Sequence, residues 1–117
     1  MILAVVDDLM FMSKIRSAAA ELGVTLAFAR SSEAALAEMR QHLPSLVIFD
    51  LNNRRTDPMG TVAAMKNDPA LASIPTVGYV SHVDSEVISA ARTAGVGDVV
   101  ARSTFSQRLV EILSAHR

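Results

Sequence analysis

Five short, mostly continuous apolar runs alternate along this chain with longer amphipathic segments, and that alternation limits its possible folds more than any other feature. The runs are Ile2-Leu3-Ala4-Val5-Val6, Val24-Thr25-Leu26-Ala27-Phe28, Leu46-Val47-Ile48-Phe49, Thr76-Val77-Gly78-Tyr79-Val80 and Val96 to Ala101. Apolar stretches of this length suit strands that are covered on both faces. Between them, apolar residues recur three or four apart: Leu9, Met12, Ile15, Ala19 and Leu22; Ala35, Leu36, Met39 and Leu43; Val87, Ile88 and Ala91. That spacing puts one apolar stripe on a helix. The stripe after the third run, Met59, Val62 and Met65, is thin, and Asp68-Pro69 ends it. The last one carries Phe105, Leu109, Ile112 and Leu113, and the capping-box spacing of Thr104 and Gln107 predicts a helix starting near Thr104.

Strand and helix alternate throughout, so every connection is a crossover, and right-handed crossovers distribute helices over both faces of one sheet. The expectation is an α/β, doubly wound, five-stranded parallel sheet in the flavodoxin-like order 2-1-3-4-5. A chain of 117 residues has room for one ordinary core, and no repeat or Pro/Gly/Ser linker divides it, so residues 1–117 read as a single domain.

Composition removes several functions. With 11 basic against 12 acidic residues and no run of Lys or Arg, the chain lacks the electrostatic footprint that holds nucleic acid or anionic lipid. It has no cysteine, hence no disulfide, thiolate metal site or cysteine nucleophile, and the cytoplasm is the default expectation. Met1 to Val6 meets Asp7 and Asp8 too early for a signal-peptide core, and no stretch approaches about 20 apolar residues. No membrane association is expected.

Ligand sites of open parallel sheets lie at the carboxyl ends of the strands, where the strand order reverses. Asp7 and Asp8 directly follow the first run and Asp50 ends the third, which are neighbours in that order, so the three acids are expected to meet. Three close carboxylates raise one another's pKa unless a cation offsets them, and an all-oxygen site suits Mg²⁺. The plainer reading of each Asp is a solvated loop residue or a helix cap.

These stretches resemble the receiver domain of two-component response regulators of the chemotaxis type. The resemblance runs from Met1 to the last helix, through Ile2 to Asp8 with its paired acids, Ser45-Leu46-Val47-Ile48-Phe49-Asp50-Leu51, the Ile74-Pro75 lead into the fourth strand, and Gly95 to Phe105. It implies that Asp50 accepts a phosphoryl group from a phosphohistidine of a histidine kinase or phosphotransfer protein. It also implies that Asp7, Asp8, Asp50 and the backbone carbonyl of Asn52 hold Mg²⁺. The only chemistry implied is self-catalysed phosphoryl transfer to Asp50 and hydrolysis from it, with signalling through contact with another protein.

The chain departs from that family at the switch positions. Arg102, followed by Ser103, stands at the family's lysine and proline. Arg keeps the charge but is longer and planar. The hydroxyl residue that ends strand 4 falls on Val80, and Ser81 can replace it only if the strand ends or bulges first, because successive strand side chains face opposite ways. The aromatic of strand 5 falls on Val99. Asn52 and His82 occupy positions that tune loss of the phosphoryl group in the family, although His82, like His42 and His116, also reads as a solvated residue. Arg54 and Arg55 replace Pro-Gly after strand 3 and are expected to pair with Asp57, to guide a partner, or to stand as a solvated pair.

Two readings follow. In the first, Asp50 is phosphorylated and a stand-alone receiver changes its affinity for a downstream protein. In the second, the chain is a pseudo-receiver, a phosphorylation-independent interaction module using the face of helix 4, strand 5 and helix 5; Val80, Val99 and Arg102 motivate it. A flavin or nucleotide enzyme on the same fold is the third class. The turn Asp7-Asp8-Leu9-Met10 is acidic and lacks glycine, which argues against a phosphate cradle there.

Overall fold

Each apolar run forms a strand whose alternate side chains enter two different layers, which is why so little polar alternation appears in the sequence. The computed structural model describes residues 1–81 and 84–117. In chain order the elements are β1 (Ile2–Val5), α1 (Leu9–Leu22), β2 (Leu26–Ala29), α2 (Ser32–His42), β3 (Leu46–Asp50), α3 (Pro58–Asn67), β4 (Thr76–Val80), α4 (Ser85–Ala94), β5 (Asp98–Ala101), α5 (Arg102–Gln107) and α6 (Leu109–Ala115). The strands form one parallel sheet in the order β2-β1-β3-β4-β5, as expected. On one face Ile2, Ala4 and Val6 pack with Phe11 and Ile15 of α1 and with Phe105, Leu109 and Leu113 of α5 and α6. On the other, Leu3 and Val5 pack with Met39 of α2, Val62 and Met65 of α3 and Ala91 of α4. Among the described residues no helix is long and apolar enough to cross a membrane.

Two strands begin later than the apolar runs suggest, for one physical reason. Val24 donates its N–H to the Ala19 carbonyl (2.9 Å) and Val96 donates to Ala91 (3.0 Å). Each closes the end of the preceding helix just after a left-handed glycine, Gly23 (φ 67°) or Gly95 (φ 110°), before the chain can enter the sheet.

The thin third stripe is also explained. Thr61 takes a core position in α3, fully buried, with its hydroxyl bonded to Ser32 Oγ (2.7 Å) and to the carbonyls of Asp57 (2.8 Å) and Thr56 (3.0 Å). A satisfied buried threonine does the packing of an apolar residue without its sequence signal.

The last helix departs from expectation. Helical structure starts at Arg102, with Ala101 at the N-cap and no side-chain cap, so Thr104 lies inside the helix and does not open a capping box with Gln107. The backbone breaks at Arg108 (φ −97°, ψ 7°), but hydrogen bonds from Arg108 to Thr104 and from Ile112 to Arg108 carry the apolar stripe across the break.

Candidate functional site

The register pairs Val5 of β1 with Phe49 of β3, so the residues following both strands emerge at the same edge of the sheet. Asp7, Asp8 and Asp50 share that edge, but each carboxylate turns to its own partners. Asp7 accepts from Arg30 Nε on one oxygen (2.6 Å) and from Arg55 Nη1 on the other (2.9 Å). The Arg30 hydrogen bond leads the effects that hold the Asp7 carboxyl below the usual carboxylate range, against its partial desolvation.

Asp8 is the N-cap of α1: its Oδ1 accepts from the N–H groups of Met10 (2.9 Å) and Phe11 (3.1 Å), while its Oδ2 accepts from Arg102 Nη2 (2.9 Å). The Phe11 hydrogen bond, foremost, lowers its pKa, with Arg102 adding to the effect. The helix-cap reading is therefore correct for Asp8, alongside an ion pair.

Asp50 is different. Among the described residues its carboxylate accepts one hydrogen bond, from the Asn52 N–H to Oδ1 (3.1 Å). Burial pushes its pKa up, assisted by the charge of Asp8 and opposed by the Asn52 hydrogen bond and the charge of Arg102.

Arg102 is the first residue of α5, one beyond β5. Its guanidinium bonds Asp8 and lies over the Phe11 ring, 4.5 Å from the centroid. Beneath it, Phe11, Tyr79 and Phe105 stack, with centroids 4.7 Å apart for Phe11 and Tyr79 and 5.1 Å for Tyr79 and Phe105. Tyr79 is opposite Asp50 in the register and 1% exposed, and its hydroxyl has no hydrogen-bond partner among the described residues. Burial, then the negative charge of Asp50, keeps that phenol protonated far above its ordinary range.

Val80 and Val99 pack in the layer shared by α2, α3 and α4. β4 ends at Val80 and Ser81 is exposed beyond it; the Ser81 backbone N–H donates to Asn52 Oδ1 (2.6 Å), tying the loop after β3 to the end of β4. His82 lies outside the described residues. His42 sits 3.5 Å from Glu38 within α2, and His116, the C-cap of α6, has its Nδ1 3.0 Å from the Ile112 carbonyl. Arg55 pairs with Asp7 and not with Asp57, which is the N-cap of α3 and accepts from the Gly60 N–H (3.2 Å).

Three carboxylates and a backbone carbonyl are the oxygen donors a hard divalent cation takes. As arranged they do not fit one. Asp7 and Asp8 are already bonded to guanidinium groups, and among the described residues no three His, Cys, Asp or Glu side chains gather as a metal-holding group. A cavity of about 520 Å³ beside the site is lined by Asn52, Arg54, Asp57, Met59 and Val87, and by none of the three acids.

Sequence reasoning passed over Arg30 and Tyr79. Arg30 directly follows β2, the strand beside β1, so a basic residue there emerges next to Asp7. Tyr79 precedes Val80 and so faces the opposite layer, the one toward which α1 and α5 pack.

No family model matches the chain, and no curated protein matches it. Solved structures do. The phosphorylated cyanobacterial phytochrome response regulator RcpA is 24% identical over 97% of this chain and 88% of its own, with a TM-score of 0.80. The Mn²⁺-bound response regulator Rcp1 is 22% identical over 97% and 91%, with a TM-score of 0.78. The chemotaxis response regulator CheY4 of Vibrio cholerae is 16% identical over 99% and 97%, with a TM-score of 0.84. Together with the strand order, these similarities give the chain the fold of the response-regulator receiver domain.

Proposed function

We propose that residues 1–117 form a receiver unit that accepts a phosphoryl group on Asp50 from a histidine kinase or phosphotransfer protein in the cytoplasm and signals through contact with a downstream protein. The observation that carries this reading is the contrast among the three acids. Asp7 and Asp8 have their oxygens committed to arginines and to a helix cap, whereas Asp50 has one oxygen that no described residue bonds. Burial raises the basicity of that carboxylate, which favours it as an oxygen nucleophile.

In the step proposed, an Asp50 oxygen bonds to phosphorus as the phosphorus–nitrogen bond of the phosphohistidine breaks, and the imidazole leaves with the electron pair. Positive charge must meet the phosphoryl oxygens in the transition state. Arg102, whose charge already acts on Asp50, is the residue proposed to supply it. The Mg²⁺ that the resemblance assigns to Asp7, Asp8, Asp50 and the Asn52 carbonyl does not fit carboxylates paired in this way with arginines. Incubation with a phosphorylated phosphotransfer protein should label wild type and leave Asp50→Ala unlabelled; equal labelling of both would remove the proposal.

The pseudo-receiver reading draws on Val80, which is buried where the family has a hydroxyl, and on Val99 beside it in the same layer. Under that reading Asp50→Ala leaves binding of the downstream protein unchanged in a pull-down; dependence on Asp50 phosphorylation would exclude it.

A further inference from the structure

The fold brings a cation to Asp7 from each neighbour of its strand. In the order β2-β1-β3, Arg30 follows β2 on one side and Arg55 lies in the loop after β3 on the other. Their guanidinium groups take one oxygen each of a carboxylate only 10% exposed, while the arginines themselves are 56% and 77% exposed. The acid thus lies beneath two cations that cover it from solvent. With Arg102 on Asp8, three guanidinium groups stand against three carboxylates at this edge.

We infer that Arg30 and Arg55 take the place of a divalent cation at Asp7, so that the acidic edge is balanced by the chain's own cations and admits a metal ion only when they leave. The electrostatics run in one direction. A dication added beside the three arginines would leave excess positive charge, so it must first displace two charge-assisted hydrogen bonds from Asp7. A hard cation draws on carboxylate lone pairs, and each Asp7 oxygen already gives one to a guanidinium N–H. Isolated exposed ion pairs are weak, but here two cations share one shielded carboxylate, the network case in which such pairs count.

The inference concerns the Asp7 carboxylate and rests on the receiver reading only where it bears on Asp50. The test is titration of the full chain with MgCl₂ and MnCl₂, followed by amide and arginine Nε–H NMR signals. The chains compared are wild type, Arg30→Gln/Arg55→Gln, Arg55→Gln alone, and Arg54→Gln, which removes the same charge next door without touching Asp7. The double variant should bind the cation about tenfold or more tightly than wild type, with an intermediate gain for Arg55→Gln and little for Arg54→Gln. Equal affinities throughout, or the same gain in Arg54→Gln as in Arg55→Gln, would overturn the inference.

Wild type alone gives a second reading should the double variant not fold. The Arg30 Nε–H signal should stay hydrogen-bonded at Mg²⁺ concentrations that saturate an ordinary carboxylate site, and its early release would be equally fatal. Beryllofluoride, added with and without a chelator, reads Asp50 separately. No response at Asp50 under any condition counts against the receiver reading and leaves the cation titration to judge the clamp.

Discussion

The guanidinium of Arg102 holds Asp8 at 2.9 Å while lying 4.5 Å above the centroid of Phe11, so one side chain joins the acidic edge to the aromatic stack beneath it. Asp8 and Phe11 are three residues apart across the first turn of α1, and Arg102 opens α5. The contact therefore staples the starts of two helices that pack on the same face of the sheet.

Arg102→Ala should cost about 1 kcal/mol, from the lost ring contact and ion pair together. Arg102→Lys keeps the charge but not the plane that stacks, and should cost roughly half as much. Urea unfolding midpoints of the three chains check the order; a lysine variant as weak as the alanine one would show that charge contributes nothing here.

Asp8 has two roles that substitution can separate. Asp8→Ala loses the cap on α1 and should cost about 1 kcal/mol. Asp8→Asn keeps an acceptor for the Met10 and Phe11 N–H groups and should lose only the pair with Arg102, a few tenths of a kcal/mol. A double-mutant cycle of Asp8→Asn with Arg102→Ala should then show coupling of about 0.5 kcal/mol. Equal losses in Asp8→Ala and Asp8→Asn would mean that the cap is energetically silent.

Tyr79 buries a hydroxyl with no described partner. Tyr79→Phe leaves the stack with Phe11 and Phe105 intact and removes an unsatisfied polar group, so it should stabilise the fold by about 1 kcal/mol. Tyr79→Ala opens a cavity in the same stack and should cost about 3–5 kcal/mol. A destabilised Tyr79→Phe would show that the hydroxyl is engaged, and would make it a candidate reporter of charge changes at Asp50.

The sheet was legible because parallel strands covered on both faces carry apolar residues at nearly every position, and no competing reading of Ile2–Val5 or Leu46–Phe49 survives that pattern. Where the reading slipped, one residue had two roles. Val24 and Val96 look like strand residues but close helices, and Thr61 looks polar but fills the core. Thr104 and Gln107 have the spacing of a capping box, yet the helix had already begun at Arg102. At the site, the acids were read as a group and their counter-charges were not. For Arg54 and Arg55 the sequence leaves open a pair with Asp57, a partner contact or a solvated pair, while the Arg55 contact with Asp7, 48 residues away, depends on strand order. Arg30 could have been found by asking which basic residues emerge at the same edge from the neighbouring strand.

The three acids make opposite contributions to stability as pH changes. Asp7 and Asp8 have lowered pKa values, through Arg30 and the Phe11 N–H respectively. The stability they contribute is present above the ordinary value of 3.8 and is lost as pH falls through their folded values. Asp50 is raised by burial, so its ionised form weighs against the fold above its folded pKa, and that burden lifts as the pH drops through it. Asp50→Asn should therefore be more stable than wild type at neutral pH, by an amount that shrinks as pH falls toward 3.8, because wild type then protonates the same group. Asp7→Asn should behave in the opposite sense, less stable than wild type at neutral pH and converging with it only below 3.8. Thermal unfolding of the three chains from pH 7 downward, in steps of about half a unit, resolves the two trends. An Asp50→Asn advantage that held constant across the range would mean that Asp50 binds protons equally in the folded and unfolded chain, so that burial places no burden on its ionised form.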